Sequence, residues 1–211
     1  MPETLQKIIQ TANKHFTKYG IRSVSMDDIA RELGMSKKTI YEKVGNKEAL
    51  IKKAMEFHIQ LDCAMTEDLQ KKEGNAIDEM LGIADFVIQE LSDLNPSVIY
   101  DLKKYYRNIW EMMEIHRYTH IHTNILRNLQ NGIEQGLYRE NIRPELIAHF
   151  YTGIAHVFTE GDFLEQKKYT VAEAYIEAFK YHIYGIASEK GIEYLKTNLP
   201  KIKNTKYAKQ L

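Results

Sequence analysis

Cysteine is almost absent from this 211-residue chain. Cys63 stands alone, so no disulfide can form within the chain, and a reducing compartment suits it. No run of about 18 uninterrupted apolar residues occurs, which excludes an obvious membrane-spanning helix. The first residues lack the charged and apolar blocks of a secretion signal. The expectation is a cytoplasmic protein with no membrane partner. Glycine is sparse, no segment alternates apolar and polar residues with a period of two, and no internal repeat is evident. These absences leave an all-α fold. Also missing are a glycine-rich phosphate loop, a nucleophile elbow and an HExxH or paired metal motif. The chain therefore reads as a non-enzyme that needs no metal or cofactor.

Net charge is missing too, with 29 basic residues against 29 acidic ones, but the charges are unevenly distributed. Residues 1–60 hold 11 Lys and Arg against 7 Asp and Glu, and the remainder holds 18 against 22. An electropositive module on a mildly acidic body can bind a polyanion at one end.

The residues from Ser25 to Glu42 show what that module is. Ser25 is placed to accept an orphan amide of a first helical turn, and Asp27 and Asp28 favour the positive end of that helix. Ile29, Ala30 and Leu33 share one face, and Gly34 supplies a stop. Ser36 caps a second helix through Ile40 and Tyr41, and Lys37, Lys38, Thr39, Tyr41 and Lys43 crowd this short segment. Helix, tight turn and capped basic helix form a helix-turn-helix, for which double-stranded DNA is the natural partner.

Before this hairpin, Leu5, Ile8, Ile9, Ala12, Phe16 and Tyr19 predict an amphipathic helix over residues 3–19, ended by Gly20. After it, Gly45 breaks the second helix and Asn46 caps a long fourth one from Lys47 through Leu69. Ile77 to Leu91 predict another helix, ended by Asn95-Pro96. Residues 97–137 read as helical and rich in aromatics. Pro144 opens a helix that is apolar on more than one side, Thr170 to Glu173 form a capping box for the next, and a short helix covers Lys190 to Thr197.

The order of Gly20, Ser25 to Lys37, Thr39-Ile40-Tyr41 and Asn46 to Leu50 resembles the TetR family of bacterial regulators, over residues 5–55. It departs from the family at Val44, where an aromatic residue is usual. The resemblance implies an N-terminal three-helix DNA-binding domain followed by a larger helical ligand-binding and dimerisation domain. The expected boundaries are 1–50, 51–200 and a polar tail over 201–211. It also implies DNA contacts at the motif positions.

Within those contacts, Lys38 and Thr39 lie where the start of a recognition helix meets base edges. Ser25, Tyr41 and Lys47 suit phosphates, Lys37 suits a phosphate as well as a base, and Ser36 presents the helix. A small-molecule effector is expected between the middle helices, with Phe86, Trp110, Tyr118 and His122 as candidates. His116 and His120 have the i, i+4 spacing of a metal pair, but the sequence places no third ligand.

Because one reading helix covers few base pairs, a homodimer on a palindromic operator is expected. Phe150, Ile154, Val157, Phe158, Phe179 and Ile183 are the candidates for its interface, since the last two long helices carry more apolar surface than one side of packing needs. In similar proteins such helices pair into a four-helix bundle. The functional expectation is a repressor released by a small hydrophobic or aromatic ligand. The alternative is an architectural DNA-binding protein that senses nothing.

Overall fold

The structure, a computed structural model, describes residues 2–72, 74–158 and 169–198. Ten helices are found among them: α1 (Glu3–Tyr19), α2 (Met26–Leu33), α3 (Lys37–Val44), α4 (Lys47–Lys71), α5 (Ala76–Asp93), α6 (Ser97–Tyr105), α7 (Arg107–Glu134), α8 (Pro144–Val157), α9 (Val171–Ile186) and α10 (Glu189–Asn198). No strand occurs among the described residues, which hold one isolated bridge between Tyr138 and Ala187. The fold is all-α. The tail over residues 201–211 lies outside the described residues.

Packing divides the chain into two compact units: residues 1–64 with 93–117, and residues 65–92 with 118 onward. In the first, Ile8, Ile9, Ala12 and Phe16 of α1 close over Ile29 and Ala30 of α2 and Ile40 and Val44 of α3. Leu50, Ile51 and Ala54 of α4, Val98 and Leu102 of α6 and Ile109 of α7 complete this core. The unit thus reaches well past the motif, because α4 and α6 contribute apolar faces that three short helices alone leave uncovered. Gly20 ends α1 with φ 87° and donates its amide to the Phe16 carbonyl at 2.9 Å. A Cβ there would lie 2.3 Å from Ser97 Oγ, so both the turn and the approach of α6 require glycine.

The residues from 97 to 134 are helical, as expected, and form two helices. The chain breaks at Tyr106 (φ −133°, ψ 51°), whose carbonyl then accepts the amides of Ile109 and Trp110 to start α7. Neither proline nor glycine marks this break.

The second unit is built around α5, α7, α8 and α9, with Ile77, Met80, Ala84, Ile88, Ile125, Leu129, Ala148, Ile176, Phe179 and Ile183 in its core. Polar groups are buried with them in a closed network. Asn128 Nδ2 donates to the Ala76 carbonyl at 2.9 Å and to Glu79 Oε2 at 3.0 Å, and the Tyr138 hydroxyl donates to Asn128 Oδ1 at 2.9 Å. Arg127 pairs with Glu79 alongside. Gly132 makes room for the Tyr138 ring, which a Cβ would meet at 2.0 Å. Thr170 and Glu173 form the expected capping box at the start of α9.

Candidate nucleic-acid interface

The reading hairpin is held by reciprocal caps. Asp28 N donates to Ser25 Oγ at 3.2 Å, and Ser25 N donates to Asp28 Oδ2 at 2.9 Å, so two groups left over at the start of α2 satisfy each other. The Ser25 hydroxyl also donates to Asp28 Oδ2 at 2.7 Å, and these bonds hold the Asp28 carboxyl below its ordinary pKa. Gly34 turns the chain at φ 62°, and its amide reaches the Ala30 and Arg31 carbonyls. Ser36 Oγ then accepts the Thr39 amide at 3.0 Å and lies 2.8 Å from Thr39 Oγ1, which starts α3 and fixes the Thr39 rotamer.

Helix α3 has 8 residues. At 1.5 Å each it is about 12 Å long, the width of a major groove. Ile40 and Val44 point into the core, leaving Lys38, Tyr41 and Lys43 exposed. Lys38 is the outward cation nearest the helix start. Lys37 is turned toward α2, its Nζ donating to Asp27 Oδ2 at 2.8 Å, and this bond raises its pKa. Tyr41 is 37% exposed. Lys47 opens α4 behind the cap that Asn46 Oδ1 makes to the Ala49 amide at 2.8 Å. Burial lowers the Lys47 pKa, as does the nearby Arg22 charge, while Asp101 and Asp28 act to raise it.

The residues expected to meet an effector fall in both units. Tyr118 and His122 of the second unit stack at 6.1 Å, and His149, which the sequence reading missed, joins them. Its ring lies 4.4 Å from that of His122, and its Nδ1 lies 3.0 Å from the Tyr118 hydroxyl. His122 Nε2 is buried without a hydrogen-bond partner. Phe86 is half-buried on α5 of the same unit. Trp110 belongs to the first unit, where the Lys103 ammonium and the Arg117 guanidinium lie 5.0 and 5.3 Å from its ring. A cleft of about 210 Å³, counted open to solvent, lies between α8 and α9 and is lined by Tyr151, Ile154, Ala155, Phe158, Tyr175, Ala178 and Phe179.

His116 Nε2 is 4.0 Å from Cys63 Sγ, and burial lowers the pKa of that imidazole. His120 Nε2 lies 2.9 Å from Thr66 Oγ1.

On α8 and α9, Phe158, Phe179 and Ile183 are buried in the core of their own unit, and Ile154 packs against it. Phe150 and Val157 face outward, 63% and 49% exposed. Leu146 of α8 and Tyr181 and Tyr184 of α9 are exposed as well, although nothing in their spacing distinguishes them from core positions.

A capped two-helix unit with a basic, outward-facing second helix defines the class of helix-turn-helix DNA-binding proteins. Residues 8–54 match the model for bacterial regulatory proteins of the tetR family. An uncharacterized HTH-type transcriptional regulator of Bacillus subtilis (strain 168), YvaF, is 27% identical over 155 residues, covering 68% of this chain and 80% of its own. Among solved structures, a TetR-family transcriptional regulator from Agrobacterium tumefaciens superposes with a TM-score of 0.68 at 16% identity, covering 89% of this chain and all of its own (100%). SmeT, in its complex with triclosan, superposes at 0.64 and 15% identity over 88% of this chain and 92% of its own. Over residues 8–54 the chain is thus similar to the tetR family of bacterial regulatory proteins, and it shares the fold of solved TetR-family regulators. No helix among the described residues is long and apolar enough to cross a membrane.

Proposed function

We propose that the protein is a homodimeric repressor acting in the cytoplasm on a palindromic operator, from which a small hydrophobic or aromatic ligand releases it. The outward Lys38 on a helix whose other face is fully spent on the core carries the DNA reading. Lys38 and Thr39 read bases, while Ser25, Lys37, Tyr41 and Lys47 hold phosphates and Ser36 sets the helix. The Lys37 ammonium exchanges Asp27 for a phosphate on binding.

Exposed Leu146, Phe150, Val157, Tyr181 and Tyr184 support pairing through α8 and α9, with Gly153 and Gly185 leaving open space for close approach. An unpaired protomer leaves this apolar surface in water. Tyr118, His122 and Phe86 are the effector contacts this reading favours, and the triclosan complex of SmeT supports an aromatic ligand class.

The test is selection of duplexes from a random pool by the full-length chain, with light scattering in parallel. The expected results are inverted half-sites and a mass twice the 24.7 kDa of one chain. Unrelated sequences, or a monomer at micromolar concentration, would sink the proposal. Lys38→Ala should then cost about 1 to 3 kcal/mol at one base position of each half-site. Uniform weakening across site variants would make Lys38 a phosphate contact instead.

One observation favours the ligand-independent alternative. The cleft between α8 and α9 encloses room for roughly one water molecule, far short of the ~300 Å³ at which drug-sized sites begin. Unchanged operator affinity across a panel of hydrophobic aromatic ligands would favour that reading.

A further inference from the structure

In the first unit, Asp101 and Tyr105 of α6 converge on Arg22 in the turn between α1 and α2. The Arg22 amide donates to Asp101 Oδ2 at 3.0 Å, and Asp101, on α6, is only 6% exposed. The Arg22 guanidinium lies 4.3 Å from the centre of the Tyr105 ring, at the end of α6. Its backbone and its charged head are therefore both held by one helix, while the side chain itself stays exposed. Lys104 Nζ is 5.4 Å from the same ring and donates to the Tyr100 hydroxyl at 2.6 Å, adding a second cation on that side.

Arg22 and Lys47 are close enough for the arginine charge to act against protonation of the lysine. Burial is the main cause of the lowered Lys47 pKa, and the Asp101 carboxylate outweighs the Arg22 charge there. The exposed guanidinium, already oriented by Tyr105, has a planar fork suited to bidentate phosphate oxygens. Ser25, which the proposed function assigns to a phosphate, lies three residues beyond Arg22 on the same turn.

We infer that Arg22 is a further DNA-phosphate contact, acting with Lys47, and that Asp101 and Tyr105 of α6 are the residues that position it. This inference rests on the DNA-binding reading of α3. The contact lies outside the helix-turn-helix, so α6 forms part of the interface and a shift of α6 withdraws a phosphate ligand directly. Stacking on Tyr105 spares the arginine part of the cost of ordering its side chain, because the guanidinium is already oriented in the free protein.

The experiment measures binding of the full-length protein to the duplex it selects, as a function of salt. Arg22→Ala should reduce the slope of log K against log salt by about 0.9, equivalent to about an eightfold loss of affinity at 0.1 M salt, evenly across site variants. Arg22→Lys should keep the slope while losing affinity, since charge remains but the stacked fork is gone. Tyr105→Phe should bind as the wild type does. Tyr105→Ala should keep the slope and lose about two- to fivefold, the worth of an exposed cation–π contact.

An unchanged slope for Arg22→Ala, with Lys47→Ala still losing about one unit, would overturn the inference and leave the DNA reading intact. A wild-type protein that binds no duplex at low salt would overturn both. Matching melting temperatures for the exposed variants would exclude unfolding as the cause of any loss.

Discussion

The two units solve opposite problems. In the first, the core is closed by α1 to α4 with α6 and the start of α7, and the outer face of α3 is left polar and cationic. In the second, the core contains a polar network, and the outer helices leave Phe150 and Tyr181 63% and 79% exposed, the surface that the proposed dimer would cover. Under the proposed function, specificity in the first unit would reside in groups that protrude, and in the second in which apolar groups are left uncovered.

The largest effect should come from the polar core of the second unit. Tyr138 is 1% exposed, fills the space beside Gly132 and donates to Asn128. Tyr138→Ala should cost about 3 to 5 kcal/mol by analogy with large aromatic truncations, and it also strands the Asn128 carbonyl oxygen. Urea denaturation followed by circular dichroism measures this. If the two units unfold separately, the loss should appear in one transition while the other stays at its wild-type midpoint. A loss below 1 kcal/mol would mean that the network is loosely packed and the contrast between the units overstated.

Somewhat smaller is the effect of acid. His182 on α9 is 7% exposed, its Nε2 has no hydrogen-bond partner, and its ring meets Tyr151 edge-on at 4.5 Å. Burial lowers its pKa from 6.5 to about 4. A depressed histidine binds its proton in the unfolded chain first. Stability is therefore full above pH 6.5 and falls as pH drops toward 4, where the folded form also begins to protonate. The loss over that window is about 3 kcal/mol. His182→Gln should flatten the profile of unfolding free energy between those values, and an equally steep profile in the variant would assign the acid lability to other groups. In the first unit, burial lowers the His116 pKa in the same direction.

How much could be read in advance follows the same division. Ser25, Ser36, Asn46 and Thr170 act as caps, and Gly20 and Gly34 act as stops, because capping and positive φ are local properties written in one or two residues. Lys38 stood out for the same reason, as a cation in a segment too short to need it. The break at Tyr106 left no such mark, since it follows from how α6 packs against the first core and not from a helix-breaking residue. On α8 and α9 every apolar residue is a candidate for either side of the helix. Phe158, Phe179 and Ile183 went inward, and Leu146, Tyr181 and Tyr184 outward, as decided by partners distant in sequence. Arg22 was invisible because its meaning depends on Asp101, 79 residues away.

The smallest effect tests whether the reading hairpin is a local construction, as its legibility implies. Ser25→Ala removes the hydroxyl that accepts the Asp28 amide and donates to its carboxylate, and should cost about 1 kcal/mol. Because the cap also orients the turn that carries Arg22 and leads into α2, fraying there should loosen α3 relative to α4. Ser25→Thr keeps an oxygen at the same place and should recover most of the stability, while Ser25→Gly should recover nearly as much through the backbone alone. DNA affinity separates the two roles assigned to this residue. If Ser25 only caps, affinity should follow stability and return with glycine. If its hydroxyl also reaches a phosphate, the glycine variant should fold normally and still bind more weakly, whereas threonine should restore both.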